Sequence, residues 1–375
     1  MIGWEKAGKG RMGYRIMDDD GKLLYDGRVD FVGRGPFEVA PSLIEGPIVD
    51  LVESDGLVIS ATVEPMAQVE VVVGDRSWKS NGRSRHEIQL DGLKPNTKYD
   101  YYLVYGADTT QRFSFRTAPK PGSRTAFTFA YASDSRSGQG GGERDVYGAN
   151  HYIMKKIMAL AVQQNVAFMQ FSGDLIDGYS DRPGDMNLQY ANWKRAIEPF
   201  THYLPVYESM GNHEALGRMF EKERGYPINV DRFPFESESS EAIFKNHFVN
   251  PTNGLKSEDG ASYDPNPEAQ DFPSYEENVF SYTYDNVAVV VLNSDYWYAP
   301  STSYIPWISG GLHGYIMDQQ LAWFKKEMSA LENDGDIDHI FVTLHTPFFP
   351  NGGHVQDDMW YNGNNEFRPY VAEQP

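Results

Sequence analysis

The sequence contains no cysteine, which excludes disulfide bonds, thiolate-bound zinc and a cysteine nucleophile. It also lacks any apolar run as long as the roughly 18 residues that a membrane-spanning helix needs. The first residues, MIGWEKAGKGRMGYRIMDDD, lack the apolar centre of a signal peptide. A signal peptide removed on export would leave no trace, and a cysteine-free composition is compatible with an exported bacterial protein. We therefore expect a periplasmic or extracellular protein whose signal peptide is not present in this chain.

Basic residues are scarce, with 33 Lys and Arg against 53 Asp and Glu, so the formal net charge is −20. A strongly negative protein is repelled by nucleic-acid phosphates and by anionic membranes. We therefore expect neither a nucleic-acid backbone nor a membrane as partner. Most of this acidity is expected on a solvated surface, and the alternative is that part of it belongs to a metal site.

The chain has 375 residues, which favours two domains. Residues 46–119 alternate apolar and polar positions between turn signals, and this pattern predicts a β-sandwich. Residues 1–45 form a strand-rich extension without an assignable pattern. The segment APKPGSR, residues 118–124, has the composition of a linker and marks a domain boundary.

Residues 125–375 alternate buried strands with helices, which predicts a layered α/β domain with a mainly parallel sheet. TAFTFAYAS, VAFMQFSG and LPVYESMG are its first predicted strands, and residues 215–277 are predicted to form an irregular insertion. Between the first two strands, one helix is predicted from a stripe of apolar side chains, namely Tyr152, Ile153, Ile157, Leu160 and Ala161.

Polar side chains follow four of the predicted strands at the point where each strand ends. They are Asp134 and Arg136 in SDSRSG, Asp174 and Asp177 in SGDLIDG, Asn212, His213 and Glu214 in GNHE, and His345 in HTP. The carboxyl ends of the strands of an α/β sheet share one edge, where ligands bind. The sequence therefore predicts that these residues converge there.

Two carboxylates, an amide oxygen and an imidazole are ligands for borderline-to-hard divalent metals. A carboxylate shared between two ions permits a two-metal site, in which metal binding lowers the pKa of water from ~15.7 towards ~7. Each residue alone is more often a turn or core residue. Their combination at four strand ends favours a metal site.

The ordered motifs SD, SGDLIDG, MGNHE and TLHTP resemble those of the calcineurin-like metallophosphoesterases. The segment LKPNTKYDYYLVYG resembles a fibronectin type III domain, so residues 46–119 followed by an α/β domain resemble the arrangement in purple acid phosphatases. The resemblance covers roughly residues 46–375. It implies an αββα sandwich that hydrolyses a small phosphate monoester or diester with two metal ions (Fe, Zn, Mn or Mg), through a metal-bound hydroxide.

The resemblance also implies a role for each motif residue. Asp134 would bind the first metal, Asp174 would bridge both, Asn212 and His345 would bind the second, His213 would bind phosphate and protonate the leaving group, and Asp177 and Glu214 would orient these groups.

The sequence departs from the family pattern at three places. Arg136 replaces the histidine of the usual Asp-x-His motif and cannot ligate a metal, so we expect it to grip substrate phosphate, the alternative being a solvent-facing loop arginine. Asp177 replaces the tyrosine that binds iron in purple acid phosphatases, so we expect no purple iron–tyrosinate centre. The closing Gly-His-x-His motif is absent, since GGHVQ has His354 but Gln356. We therefore expect a chain that is truncated or divergent at its C-terminus.

Two functions follow from these observations. The intact GDLID and GNHE motifs favour a metal-dependent phosphoesterase with His213 and Arg136 as catalytic residues. The departures favour the alternative, a catalytically weak or inactive homologue that binds a phosphorylated ligand or partner.

Overall fold

The computed structural model describes residues 3–136, 145–215, 234–296 and 314–347, and the backbone of four strands within 217–231 and 359–369. The glycine-rich loop at 137–144 and the segment around His354 lie outside the described residues. Among the described helices, none is both long enough and apolar enough to cross a membrane.

Helices are confined to short connections and to the C-terminal part. They are α1 (Trp4–Ala7), α2 (His151–Gln163), α3 (Pro183–Thr201), α4 (Phe235–Glu238), α5 (Ser240–Lys245) and α6 (Asp318–Glu332), with a 3-10 turn at Asn212–Glu214. The N-terminal strands are β1 (Lys9–Met17), β2 (Leu23–Val32), β3 (Glu38–Ala40), β4 (Ser42–Asp50), β5 (Leu57–Val73), β6 (Arg76–Leu90), β7 (Lys98–Tyr105), β8 (Asp108–Thr109) and β9 (Phe113–Arg116). The remaining strands are β10 (Ala130–Ala132), β11 (Asp145–Val146), β12 (Ala149–Asn150), β13 (Met169–Ser172), β14 (Val206–Ser209), β15 (Gly217–Phe220), β16 (Ile228–Asp231), β17 (Phe280–Tyr284), β18 (Val287–Val291), β19 (His339–Thr343), β20 (Met359–Tyr361) and β21 (Phe367–Pro369).

The N-terminal part is built from strands, as predicted. Strands β1, β2 and β3 form one antiparallel sheet, and β4 to β9 form a second sheet around the long strand β5. Strand β4 pairs with the first half of β5, β7 pairs with its second half, and β6 pairs along both. Strand β4 runs across the predicted boundary at residues 45 and 46. The fibronectin type III assignment and the domain boundaries stay predictions.

The C-terminal part is an α/β domain, which confirms the predicted fold class. Strands β10, β13 and β14 form a parallel sheet, whereas β18 and β19 are parallel and β17 joins them antiparallel in a second sheet. The two sheets contact each other where Tyr207 of β14 stacks on Tyr282 of β17, with ring centroids 3.8 Å apart. Every carboxyl end that the sequence singled out therefore lies on one of two adjoining sheets.

The predicted first strand, TAFTFAYAS, is shorter than expected. Only its residues Ala130–Ala132 are strand. At its start, the backbone N–H groups of Arg124 and Thr125 donate to the carboxylate of Asp285, at 2.7 and 2.6 Å. These two N–H groups therefore bond to a side chain in the turn between β17 and β18, and they do not pair with a neighbouring strand.

The apolar stripe predicted for α2 is only partly buried. Ala161 is buried and Ile157 packs against the core, whereas Tyr152, Ile153 and Leu160 are exposed, and Met154 and Met158 are buried instead. This helix carries apolar residues on more than one side, and Met154 and Met158 lie in the same buried cluster as Trp193 of α3. Asn150 begins the helix by accepting a hydrogen bond from the Ile153 backbone N–H at 3.1 Å.

The N-terminal sheet and the α/β domain share one hydrophobic core. Phe168, Tyr207 and Phe280 pack in the same buried cluster as Ile59 and Leu103 of the N-terminal sheet. The N-terminal strands therefore support the sheets that position the candidate site.

Candidate metal centre

The predicted ligands converge at the carboxyl ends of the strands. One oxygen from each of Asp134 and Asp174 and a ring nitrogen of His345 lie within 4.8 Å of one another. Asn212 Oδ1 lies 3.0 Å from His345 Nε2. Residues that follow β10, β13, β14 and β19 therefore form one cluster.

The backbone at the ends of β10 and β13 takes an unusual conformation that aims both carboxylates into the site. Asp134 and Asp174 have φ angles of 60° and 53°, a left-handed region that aspartate tolerates better than most residues. Gly173 has φ 90°, and a Cβ atom there would lie 2.5 Å from the backbone nitrogen of Gly211. Only glycine allows the loops after β13 and β14 to approach so closely.

Glu214 connects the loop after β13 with the loop after β14 through hydrogen bonds. Its carboxylate is fully buried and accepts the backbone N–H groups of Gly211 at 2.7 Å, Asp174 at 2.8 Å and Leu175 at 2.9 Å. Burial, with a smaller effect of the nearby Asp174 charge, raises the pKa of Glu214 to about 8, although the N–H donors act in the opposite direction. Glu214 therefore holds the backbone that carries Asp174, and its role in orienting the functional groups stays a prediction.

His345 presents the nitrogen that a metal would use. Its Nδ1 lies 2.8 Å from the Ser172 carbonyl oxygen, which can only accept, so Nδ1 carries a proton. Its Nε2 then faces Asn212 Oδ1 and, at 3.2 Å, Asp174 Oδ1. Metal-binding histidines characteristically donate their other N–H to such an acceptor. Three electron-rich atoms that face one another fit a cation between them.

The surroundings of the His345 imidazole favour a positive charge. Burial acts to lower the pKa of His345, but the carboxylates of Asp174 and Asp295 outweigh it and hold the pKa above its ordinary value. The same negative field would attract a metal ion.

His213 has a different arrangement from His345. Its Nδ1 donates to the Asp177 carbonyl oxygen at 2.5 Å, and its Nε2 accepts a hydrogen bond from Arg136 Nη1. Burial lowers the pKa of His213, against the opposing effect of the Asp174 carboxylate. His213 is therefore a neutral imidazole with both nitrogens engaged, beside the candidate ligands.

Asp177 contacts the site through its backbone. Its carbonyl oxygen orients His213, and its N–H donates to the Gly148 carbonyl oxygen at 2.9 Å. Arg136 lies closer to the centre, with Nε 3.7 Å from Asp174 Oδ2 and a side chain that is 43% exposed. Arg136 thus contacts both the site and solvent.

Tyr179 is a site residue that the sequence reasoning missed. Asn212 Nδ2 donates to the Tyr179 hydroxyl, and the Tyr179 ring centroid lies 4.0 Å from that of His213. Because Nδ2 is used in this way, Oδ1 is the Asn212 atom that faces His345. The sequence offered one indication of this role. Asp177 stands at the position of the purple acid phosphatase tyrosine, and Tyr179 follows only two residues later.

At this site, the described residues that could hold a metal are Asp134, Asp174, Asn212 and His345. Three oxygens and one nitrogen suit Mn, Mg, Zn or Fe ions. Arg136 has no lone pair to offer, and both His213 nitrogens already have partners.

Comparisons with known proteins concern the family and the fold of this chain. The sequence profile of the calcineurin-like phosphoesterase family matches residues 145–373, more than half of the chain. Among solved structures, PhoD is 15% identical with a TM-score of 0.51, and the match covers 83% of this chain and 64% of PhoD. Purple acid phosphatase PPD1 from yellow lupin (Lupinus luteus) seeds is 14% identical with a TM-score of 0.54, covering 88% of this chain and 58% of that protein.

The chain therefore spans less than two thirds of the length of either structure, and at these identities the likeness concerns the fold. The family profile and the fold both confirm the resemblance drawn from the motifs. The chain belongs to the calcineurin-like phosphoesterase family.

Proposed function

We propose that this protein hydrolyses phosphate esters with metal held by Asp134, Asp174, Asn212 and His345. One observation supports this most directly. Two oxygens, Asn212 Oδ1 and Asp174 Oδ1, lie 3.0 and 3.2 Å from His345 Nε2, and all three atoms carry lone pairs. When bound there, a divalent cation supplies Lewis acidity that activates water and offsets phosphoryl charge.

Other residues of the chain would bind the phosphate, transfer the proton and position the metal ligands. Arg136 is half-exposed and presents a planar fork of N–H donors, which suits phosphate oxygens. His213 lies against Arg136, so a phosphate that engages the guanidinium would also lie next to the His213 ring. His213 would then bind the phosphate, take at Nε2 the proton that the attacking water releases, and deliver that proton to the leaving oxygen. Tyr179 and Glu214 would hold Asn212 and Asp174 in place.

The second candidate is a binding protein that holds a phosphorylated ligand on the same residues without turnover. The close approach of Arg136 to Asp174 favours it, because a fixed guanidinium occupies space beside the metal ligands. The same anion-binding group serves both functions, so only a measurement of turnover distinguishes them.

The test uses the full chain, stripped with a chelator and reloaded with Mn²⁺, Zn²⁺, Mg²⁺ or Fe²⁺. Hydrolysis of p-nitrophenyl phosphate and bis(p-nitrophenyl) phosphate is then followed. We expect metal-dependent turnover that His345→Gln abolishes and that His339→Gln, at the other end of the same strand, leaves intact. Saturable binding of inorganic phosphate without turnover under every metal would reject the hydrolase in favour of the binding protein.

A small phosphorylated substrate and export to the periplasm or the cell exterior belong to the same proposal. The net charge of −20 argues against a large polyanion as partner, and the absence of cysteine is compatible with export. Fractionation of the native host cells, with detection by antibody, tests the location.

A further inference from the structure

We propose that this site holds one metal ion and that the guanidinium of Arg136 takes the place of a second ion. The inference rests on the proposed metal-dependent function and specifies how its positive charge is supplied. It concerns the cations that would surround Asp174, the residue that bridges two ions in the related enzymes.

The two oxygens of Asp174 face different kinds of group. Oδ1 lies 3.2 Å from His345 Nε2 and accepts the His213 backbone N–H at 3.0 Å. Oδ2 lies 3.7 Å from Arg136 Nε and 3.8 Å from His213 Nε2. A carboxylate that bridges two ions presents one oxygen to each. In this protein one oxygen faces the metal ligands and the other faces a side chain that is permanently charged.

Burial makes this compensation necessary. Asp174 is only 2% exposed, and a buried carboxylate requires a nearby positive charge or hydrogen-bond donors. Arg136 meets that requirement on the Oδ2 side without a metal. A second ion on that side would lie against the guanidinium, and the two positive charges would repel each other.

The candidate ligands also gather around a single point. Ligand atoms of Asp134, Asp174 and His345 lie within 4.8 Å of one another, and Asn212 Oδ1 lies 3.0 Å from the histidine nitrogen. Asp134 and His345 would serve different ions in the two-metal arrangement, yet here they belong to the same cluster. Two donors that each lie ~2.0–2.2 Å from one ion are at most ~4.4 Å apart, so a small inward movement of these side chains would bring all of them onto a single ion.

The Oδ2 side offers no free donor to a second ion among the described residues. The other imidazole on that side is His213, whose Nδ1 proton is bonded to the Asp177 carbonyl and whose Nε2 accepts from Arg136. Arg136 therefore removes a ligand in two ways, by replacing a histidine and by occupying the lone pair of another.

This arrangement changes what is offered to the substrate. An arginine binds two oxygens of a phosphate through directed N–H donors, and its charge does not depend on metal supply. The site would thus combine one metal, which activates water, with an arginine clamp that holds the phosphoryl group.

The test counts bound metal in the full chain. Mn²⁺ is titrated by calorimetry into chelator-treated protein, and bound Mn²⁺ is examined by electron paramagnetic resonance. The variants are Arg136→His, which installs the imidazole of the usual family motif, and Arg136→Lys, which keeps the charge. We expect about one equivalent and the six-line signal of an isolated ion in the wild type and Arg136→Lys. Arg136→His is expected to bind a second equivalent and to show a spin-coupled signal.

Each other outcome contradicts a distinct statement. Two equivalents with a spin-coupled signal in the wild type would overturn the single-metal inference and leave the metal-dependent hydrolase standing. A single equivalent in both the wild type and a folded Arg136→His would overturn the role given to Arg136. No binding to the wild type would overturn the proposed metal-dependent function and this inference with it.

Discussion

His345 Nε2 lies 3.2 Å from Asp174 Oδ1, although the two residues follow strands of different sheets. A hydrogen bond of 2.8 Å from His345 Nδ1 to the Ser172 carbonyl oxygen holds the imidazole ring in this position. Because the pair spans the two sheets, the site exists only when the sheets pack together. Metal binding is therefore expected to stabilise the packed domain, since a ligand that binds only the folded state raises its stability.

Tyr179→Phe tests whether the hydroxyl of Tyr179 orients Asn212. Removal of the hydroxyl takes away the acceptor of the Asn212 Nδ2 hydrogen bond, and the amide is then free to rotate its oxygen away from His345. Loss of a group that orients a metal ligand typically weakens metal affinity ~10–100-fold. We expect about a 10-fold increase in the Kd for Mn²⁺, measured by calorimetry.

The matched control is Tyr152→Phe on α2, because Tyr152 is 47% exposed and Tyr179 is 48% exposed. It should leave the Kd unchanged. An equal Kd in Tyr179→Phe and the wild type would show that the Asn212 amide is held by other contacts.

Glu214→Gln tests the buried carboxylate that joins the two loops. A glutamine amide nitrogen would face backbone N–H groups that now donate to a carboxylate oxygen, such as those of Gly211 and Asp174. Loss of such a buried acceptor should lower the free energy of unfolding by roughly 3 kcal/mol, measured by urea denaturation. Metal affinity should fall as well, because the Asp174 backbone loses its anchor.

Glu258→Gln separates these two effects. Glu258 is also fully buried and accepts the backbone N–H groups of Gln319 and Gln320 at the start of α6. This variant should lose stability without loss of metal affinity at temperatures where it is folded. A Glu214→Gln protein as stable as the wild type would refute the anchoring role.

Asp50→Asn tests a pH dependence of stability that arises outside the site. Asp50 is buried, and burial raises its pKa to about 7, with the Ser60 hydroxyl donating to it at 2.6 Å. The folded-state pKa exceeds the unfolded value of about 3.9, so its contribution is complete below pH 3.9 and is lost as the pH rises through 7. Relative to Asp50→Asn, the wild type should lose up to about 4 kcal/mol of stability over that interval.

Urea denaturation of both proteins at several pH values measures this difference. The exposed Asp55→Asn serves as the control and should follow the wild-type profile. Parallel profiles for the wild type and Asp50→Asn between pH 4 and pH 8 would contradict the raised pKa.

The ligand cluster was predictable from the sequence because its residues follow the ends of predicted strands. Asp174, Asn212 and His345 each follow an apolar strand within a few residues, and parallel strands bring such positions to one edge. The sequence shows a tyrosine close after Asp177, but its contact with Asn212 could not be assigned from the sequence, because Tyr179 takes a left-handed φ of 46°. No pattern of residue types reports a single backbone angle.

The buried face of α2 was also beyond the sequence pattern. Ile153 and Leu160 are apolar at helical spacing but exposed, whereas Met154 and Met158 are buried together with the predicted Ala161. Burial is decided by which neighbour packs against the helix, and here α3 selects the face. Periodicity identified the helix, whereas tertiary contacts chose its orientation.

The most direct test of the account is Mn²⁺ binding and phosphoesterase turnover in Asp174→Asn. Asparagine tolerates the left-handed backbone of this position, so the fold is expected to persist. Asp285→Asn is the matched control, because Asp285 is also 2% exposed with φ 55° and lies at the opposite ends of the strands. The account predicts that Asp174→Asn weakens Mn²⁺ binding at least about 100-fold and abolishes turnover, whereas Asp285→Asn retains both. Wild-type Mn²⁺ affinity and turnover in Asp174→Asn would contradict it.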